Sequence, residues 1–385
     1  MTLEQTLQWL GTQQKPMEAQ LEELVSINSF TQNVRGVERC QELLRTTLAA
    51  LPLNVQLHPS EKYGPHLSFS TAAIGRARGP LLIGHMDTVF PPETFEGYRS
   101  DGERAYGPGV LDMKGGLVVV TFALRALAEA GRLESTPLQG VVVSEEEIGS
   151  PESQALIRAM CPSADRALGF ESGRANDLII TRRKGTGAFV AEAFGKAAHA
   201  GNLHHEGVNA IWALARFVDR AQQLTDYARG VTVNVGSFNG GQSKNTVPDH
   251  AKAGVDFRFC SVEDGKAMEA ALRAAADEAV KAVKGATLKL EGGMGRTPLE
   301  RTEASAELYR AYAACQKACG LGDGEAPLLG GGSDAATTSA AGVPSIDGLG
   351  PRGLGFHTRE EQIELGSLIP KAAALVRYLW PLAAP

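Results

Sequence analysis

Histidines and carboxylates stand at the ends of short apolar segments that have the pattern of buried strands. His85 and Asp87 end one such segment, Glu171 ends another, and the triplet Glu145-Glu146-Glu147 follows Val-Val-Val-Ser. Open α/β sheets bind ligands outside the carboxyl ends of their strands, so these side chains are candidates for one shared site. Imidazole and carboxylate groups can ligate divalent metals or transfer protons.

The spacing of His85 and Asp87 suits a metal-bound histidine with an orienting carboxylate. Residues two apart in an extended chain share one face, which lets the carboxylate hold the ring. An exposed turn that happens to contain both residues is the alternative.

Asp112 lies in a glycine-rich stretch, Tyr-Gly-Pro-Gly-Val-Leu-Asp-Met-Lys-Gly-Gly, at residues 106–116. Glycines permit close backbone approach and unusual torsion angles, as a ligand site needs. The alternative is that Asp112 caps the helix that follows.

The acidic triplet needs something that offsets its mutual repulsion, either solvent or bound cations. A solvated helix face is the common fate of such a run, although solvated faces seldom follow an apolar strand. Glu171 and His357, the latter in a second glycine-rich loop, are structural residues when each is considered singly.

The elements that must position these residues form two patterns. Apolar strands at 81–84, 138–144 and 167–170 alternate with a helix at 114–131, which predicts a mostly parallel sheet covered by helices. Between them and the final α/β segments, residues 185–296 show the strand–helix–strand–strand–helix–strand order of a ferredoxin-like α+β unit. The predicted organisation is an α/β domain of residues 1–184 and 297–385, interrupted by the inserted domain at 185–296.

Composition excludes several classes of protein. The chain has 385 residues, 43% hydrophobic, with a formal charge of −6, which disfavours nucleic-acid binding. No apolar run could span a membrane, the N-terminus lacks a secretory pattern, and five cysteines are too few for a disulfide scaffold. Neither a Gly-x-Ser-x-Gly elbow nor a P-loop is present. We expect a soluble cytoplasmic protein without nucleic-acid or membrane partners.

Seven motifs together resemble the co-catalytic zinc metallopeptidase family. In chain order they read HMDT, GPGVLDMKGG, EEEIG, GFES, GKAAHAG, GGGSDAA and GFHTREE, and the resemblance runs from about residue 81 to residue 365. The family includes glutamate carboxypeptidases, aminoacylases, acetylornithine deacetylase and succinyl-diaminopimelate desuccinylase. HMDTVF and AYGPGV are most similar to the glutamate carboxypeptidase branch. The implied fold is a zinc-exopeptidase-like catalytic domain with an inserted lid and dimerisation domain.

The resemblance implies a role for each residue of the site. It makes His85 and Glu171 ligands of one metal, Glu147 and His357 ligands of the other, and Asp112 a bridge between them. Asp87 would orient His85, and Glu146 would be the general base. Glu145 leaves open a shift of the register by one residue. A non-proline cis peptide is also implied between Asp112 and Met113.

The ligand set suits two Zn²⁺ ions per subunit, with Co²⁺ or Mn²⁺ as possible substitutes. Two divalent cations against three carboxylates leave one positive charge, which suits a bound hydroxide. Two metals about 3.5–4 Å apart can activate a shared water and polarise a carbonyl, which implies amide hydrolysis.

The resemblance also assigns residues of the inserted domain and its surroundings. His199 would reach the active site of a partner subunit in a homodimer and stabilise an oxyanion. Asn245 and Arg296 match positions that bind the substrate carboxylate. Arg258 matches another family position, although a cross-strand salt bridge explains it equally. Gly332 and Ser333 would line the substrate cleft.

The predicted activity is release of a C-terminal amino acid, with glutamate as a candidate, from an N-acyl or peptidyl substrate. An N-acyl-amino-acid deacylase similar to acetylornithine deacetylase is the alternative enzyme. An inactive binding protein on the same fold is the alternative outside enzymes.

Overall fold

The structure is a computed structural model that describes residues 1–383. The helices of this part are α1 to α10, at Leu3–Gly11, Gln14–Val25, Val34–Ala49, Gly115–Glu129, Ser153–Met160, Ala210–Gln222, Val262–Ala282, Glu303–Lys317, Ala335–Ala340 and Leu368–Leu379. The strands are β1 to β16, at Asn54–His58, His66–Ser70, Gly79–His85, Arg99–Ser100, Arg104–Tyr106, Gln139–Val143, Ala164–Gly169, Gly185–Phe194, Ala198–His199, Thr232–Gly240, Thr246–Val247, His250–Phe259, Thr287–Arg296, Ser345–Ile346, Gly353–Leu354 and Gln362–Glu364.

A six-stranded sheet in the order β1-β2-β6-β3-β7-β14 forms the centre of the larger domain. The pairs β6–β3, β3–β7 and β7–β14 are parallel, while β1 and β2 extend one edge antiparallel. This confirms the predicted mostly parallel central sheet, because the three predicted apolar strands are β3, β6 and β7. Every residue of β3 and β6 is buried, as expected for strands covered on both faces.

Helix α4 packs closely on this sheet because it begins with two glycines. A Cβ atom on Gly116 would lie 2.0 Å from the carbonyl oxygen of Phe170, the residue before Glu171. Only glycine permits that approach. The helix is nearly all apolar and buried, and it contributes Phe122 and its neighbours to the main hydrophobic core.

The inserted domain contains a separate antiparallel sheet in the order β10-β12-β8-β13, with α6 and α7 in the same unit. This confirms the predicted ferredoxin-like order. Strand β12 alternates buried and less buried residues, as a sheet with one covered face requires. Phe189, Phe257 and Phe217 lie in its hydrophobic core.

The chain divides into two compact units, one of 1–182, 301–328 and the chain from 333, the other of 183–300 and 329–332. The predicted boundaries lay at 184/185 and 296/297. Residues beyond them join the second unit because Arg183 and Leu299 exchange backbone hydrogen bonds of 3.1 Å and Lys184 N donates to Leu329 O at 2.8 Å.

Several elements had no counterpart in the sequence analysis. They include α1–α3 and β1–β2, and a small sheet in the order β15-β16-β5-β4 beside the His357 loop. Among the described residues, no helix combines the length and apolar character needed to cross a membrane.

Candidate active site

His85 is the last residue of β3 and is almost fully buried, with 1% of its surface exposed. Its Nδ1 lies 3.0 Å from the backbone oxygen of Asp87 and 3.4 Å from Asp87 Oδ1. Both are acceptors, so Nδ1 carries a hydrogen, and Nε2 is the ring atom that faces the site. Asp87 therefore lies beside the His85 ring, with its backbone oxygen closer to Nδ1 than its carboxylate.

The Asp87 carboxylate chiefly binds the backbone of the acidic turn. Its Oδ1 accepts from Glu146 N at 3.1 Å, and its Oδ2 accepts from Glu147 N at 3.2 Å and from Thr31 Oγ1 at 2.7 Å. One buried carboxylate thus connects the histidine at the end of β3 to the turn after β6.

Asp112 lies in an irregular turn, Val110–Lys114, before α4. The peptide bond between Asp112 and Met113 is cis, as the resemblance implied. Its Oδ1 is 3.4 Å from His85 Nε2, and its Oδ2 is 3.4 Å from His357 Nε2. The two oxygens of one carboxylate therefore face two different histidines.

The remaining acids complete two groups around Asp112. Glu171 Oε2 lies 3.7 Å from His85 Nε2, and Glu147 Oε2 lies 3.0 Å from His357 Nε2. Potential ligand atoms of His85, Glu146 and Glu171 lie within 4.8 Å of one another, and those of Asp112, Glu147 and His357 do the same. The structure brings together all six acids and histidines that the sequence placed at the metal centre.

Glu145 is turned away from this cluster. Its Oε1 accepts from Ser153 N at 2.7 Å and from Glu152 N at 3.1 Å, and its Oε2 is 3.4 Å from His66 Nδ1. It is fully buried and anchors the start of α5. This arrangement favours the register in which Glu146 and Glu147 face the site.

The acids and histidines of this cluster are buried together and shift one another's pKa values. Burial raises the pKa of Glu147 to about 7, and burial together with the Asp112 charge raises that of Glu171 well above its usual range. Hydrogen bonds to Asp112 and Glu147 raise the pKa of His357 to about 10. Burial acts to lower the pKa of His85, but Glu171 and Asp112 outweigh it and raise the pKa.

These residues fit a pair of divalent metals. Among the described residues, His85 Nε2 and Asp112 Oδ1 are buried atoms without a hydrogen-bond partner, and both face the cluster. Two imidazoles and three carboxylates with one shared aspartate match the nitrogen and oxygen ligands of zinc. Bound cations would offset the repulsion among these buried carboxylates.

The predicted substrate residues of the inserted domain differ in their surroundings. Arg296, at the end of β13, is buried, with its Cδ 3.1 Å from where a Cβ on Gly332 would lie. Arg258 pairs twice with Asp256 at 2.8 Å, so its salt bridge lies within one strand instead of across strands.

His199, Asn245 and Ser333 have defined hydrogen bonds. His199 Nδ1 accepts from Gly201 N and Asn202 N, each at 3.1 Å. Asn245 Oδ1 accepts from the hydroxyl of Ser243. Ser333 is buried, and its Oγ donates to Asp347 Oδ2 at 2.7 Å, so this hydroxyl is already used within the domain.

Sequence reasoning missed Glu361, a buried carboxylate that binds the backbone around Asp112. Burial together with the charge of Asp112 raises its pKa to about 8. Lys114 was also missed as a buried residue; its Nζ donates to Leu24 O at 2.9 Å and Ile27 O at 3.0 Å. The only available signal was their place within the motifs DMKGG and GFHTREE.

The sequence matches a known protein family and related proteins over most of its length. The profile of peptidase family M20/M25/M40 matches residues 81–380. Carboxypeptidase G2 of Pseudomonas sp. (strain RS-16) is 29% identical over 373 residues, covering 94% of this chain and 88% of that protein.

Solved structures share the fold. The aminopeptidase PepT of Bacillus cereus superposes with a TM-score of 0.81 at 22% identity, covering 96% of this chain and 99% of that one. The YXEP protein of Bacillus subtilis, a dinuclear metal-binding peptidase, superposes with a TM-score of 0.71 at 14% identity, covering 97% and 99%.

Proposed function

Because the chain belongs to peptidase family M20/M25/M40, we propose that it is a zinc-dependent exopeptidase that releases a C-terminal amino acid from an N-acyl or peptidyl substrate. Carboxypeptidase G2, which aligns over 94% of the chain, supports this reaction. The motifs HMDTVF and AYGPGV, which are most similar to the glutamate carboxypeptidase branch, make glutamate the first candidate for the released residue. The observation that carries the proposal is Asp112, whose two oxygens each lie 3.4 Å from a different histidine.

His85 and Glu171 would hold one cation, His357 and Glu147 the other, and Asp112 both. When bound, two divalent cations lower the pKa of a shared water and polarise the substrate carbonyl. Zinc suits the mixed imidazole and carboxylate set, with Co²⁺ or Mn²⁺ as substitutes.

Glu146 is the general base in this proposal. Its carboxylate belongs to the group with His85 and Glu171, and only 8% of the residue is exposed. It takes a proton from the attacking water and passes that proton to the departing nitrogen, so it ends the cycle ionised as it began. Two backbone hydrogen bonds from its turn to Asp87 keep it in place.

Arg296 and Asn245 bind the substrate carboxylate in this proposal. The Ser243 hydroxyl occupies Asn245 Oδ1, which leaves the amide nitrogen to donate outward. A guanidinium supplies the paired donors that a carboxylate needs.

His199 supplies an oxyanion donor. Two backbone N–H groups bind its Nδ1, so the ring hydrogen lies on Nε2 and is available for donation. We assign this donor to the active site of the partner subunit in a homodimer formed through the inserted domain.

Mixing two inactive variants tests this assignment. Consider a heterodimer of one Glu146→Ala subunit and one His199→Ala subunit. One of its two active sites would combine an intact base with an intact histidine from the partner. After subunit exchange of a 1:1 mixture, we expect about a quarter of wild-type activity for a two-fold dimer. A monomer in light scattering, or no recovery on mixing, would show that His199 does not act in trans.

The activity itself is tested with a panel of N-acyl and peptidyl amino acids, with and without chelator, resolved by mass spectrometry. We expect release of the C-terminal amino acid from peptidyl or pteroyl-type substrates, loss with chelator, and loss in Glu146→Ala. Cleavage of small N-acyl substrates alone would indicate the deacylase instead. A folded, metal-loaded wild type that cleaves none of them would indicate a binding protein.

A further inference from the structure

We propose that Glu361 is a positioning residue that fixes the backbone of Asp112 against the segment that carries His357. This inference rests on the metal centre of the proposed function. It assigns to Glu361 a role in metal affinity and turnover, beyond any role in holding the fold together.

The side chain of Glu361 is enclosed by the turn that precedes α4. Its Oε1 accepts from Leu111 N at 2.9 Å and from Asp112 N at 3.0 Å, and its Oε2 accepts from Gly109 N at 3.2 Å. Its backbone oxygen accepts from Gly107 N at 3.4 Å. Only 1% of the residue is exposed, so water does not compete for these bonds.

The turn needs such an acceptor because its own backbone is irregular. Gly109 has a left-handed φ of 75°, and Asp112 has a φ of −117° and a ψ of 90°, outside helical values. The N–H groups in this turn are therefore not all satisfied by helical carbonyls. Buried backbone donors without partners are costly, and a carboxylate with two acceptor oxygens can satisfy all three.

The contact joins two proposed ligands that are distant in sequence. Asp112 N and the Glu361 carboxylate are 249 positions apart, whereas His357 precedes Glu361 by four residues. At the proposed metal site, Asp112 Oδ2 lies 3.4 Å from His357 Nε2. A shift of the 109–112 turn would move the shared carboxylate relative to both histidines.

Asp87 provides a direct comparison within the same molecule. It accepts from the backbone N–H groups of Glu146 and Glu147, and so fixes one acidic turn beside His85. Glu361 does the same for the turn that carries Asp112. Two buried carboxylates, neither of them a proposed ligand, thus hold the backbone of three proposed site residues. Outer carboxylates that orient ligands commonly control metal affinity.

The test compares Glu361→Gln and Glu361→Asp with Glu360→Gln, the same chemical change on an exposed neighbour. Each variant is measured for Zn²⁺ affinity by chelator competition, for the visible spectrum of its Co²⁺ form, and for kcat and KM. Thermal unfolding of the metal-free protein measures stability separately. In Glu361→Gln, an amide NH₂ replaces one acceptor and faces a backbone donor.

We expect Glu361→Gln to lower metal affinity by about 10–100-fold, to change the Co²⁺ spectrum and to reduce kcat with little change in KM. Glu360→Gln should match the wild type in every measurement. A Glu361→Gln protein with reduced thermal stability but wild-type metal affinity, spectrum and kcat would overturn the proposal, because the residue would then be only structural.

Glu361→Asp keeps the test decisive where the glutamine variant does not fold, since it retains the carboxyl group and loses one methylene. We expect it to fold and to bind metal more weakly than the wild type. Failure of both variants to fold would also reject the positioning role in favour of a structural one. If the wild type itself binds no metal, the proposed function fails and this inference fails with it. Wild-type metal binding with unaffected variants rejects the inference alone.

Discussion

Asp87 Oδ2 accepts a hydrogen bond from the backbone nitrogen of Glu147 at 3.2 Å. The other carboxylate oxygen of Asp87 binds Glu146 N in the same way, and its backbone oxygen faces His85 Nδ1. We expect Asp87→Asn to weaken both metal affinity and kcat by about 10–100-fold, because the amide turns one acceptor into a donor that opposes a backbone N–H. Chelator competition and steady-state kinetics measure the two effects.

Thr31→Val is the matched control for this variant. It removes one hydrogen bond to the same carboxylate, from Thr31 Oγ1 at 2.7 Å, and leaves both backbone contacts in place. We expect a loss of about 1 kcal/mol in unfolding free energy with metal affinity nearly unchanged. Wild-type metal affinity in Asp87→Asn would contradict the orienting role.

Replacing each glutamate of the acidic triplet with glutamine should have a different effect at each position. Glu146→Gln should retain metal and lose about 10²–10⁴-fold in kcat, because it removes the base. Glu147→Gln should lose metal, since Glu147 Oε2 faces His357 Nε2 at 3.0 Å. Glu145→Gln should keep metal but destabilise the fold by about 1–3 kcal/mol, because its buried carboxylate anchors α5.

Metal analysis, kinetics and denaturant unfolding on the same three proteins separate these effects. The pattern would be wrong if Glu145→Gln lost metal while Glu147→Gln retained it. That result would shift the register of the triplet by one residue.

Much of the fold and the composition of the cluster could be predicted because the signals are local. Apolar runs that end in acids mark β3, β6 and β7, and parallel strands bring their carboxyl ends to one edge. The glycines around Asp112 likewise indicate close packing within a short stretch. The order of the inserted domain follows from strand and helix periodicity alone.

The missed features depend on contacts between distant residues. Nothing near Glu361 in sequence indicates that its carboxylate binds a turn 249 positions away. The partner of Arg258 was also ambiguous, because a long arginine side chain can reach either Asp256 on the same strand or a residue across the sheet. Residues 1–80 form α1–α3 and the antiparallel edge without any motif that marks them.

At Gly116, helix α4 packs closely against the strand end that leads to Glu171. This close packing predicts that a larger side chain at position 116 destabilises the protein. A Cβ at this position would lie 2.0 Å from Phe170 O, so Gly116→Ala must displace the helix or the strand. We expect a loss of about 1–3 kcal/mol in unfolding free energy, as for other overpacked sites, with a fall in metal affinity as Glu171 moves.

Gly366→Ala is the control for this substitution, because a Cβ there meets no atom within 4 Å. Denaturant unfolding should show wild-type stability for Gly366→Ala. Equal stability of the two alanine variants would mean that the close approach at Gly116 is not required.

The burial of Lys371 predicts a pH dependence of the unfolding free energy that is independent of the proposed metal site. The Lys371 ammonium is fully buried, and although Asp177 lies 3.3 Å away, burial lowers its pKa to about 8. The unfolded chain, with an ordinary lysine pKa near 10.5, binds more protons between pH 8 and 10.5. Unfolding free energy contributed by this group therefore rises with pH across that window, and the dependence is absent below it.

Lys371→Met should remove this rise, which is on the order of 2 kcal/mol between the two ends of the window. Because tyrosines and other lysines also titrate there, the measurement is the difference between wild-type and variant unfolding free energy at each pH. Lys317→Met is the control, since Lys317 is exposed and pairs with Asp323 at the surface. If the two variants had parallel profiles from pH 8 to 10.5, Lys371 would be charged in the folded protein throughout, and its burial would not be coupled to proton release.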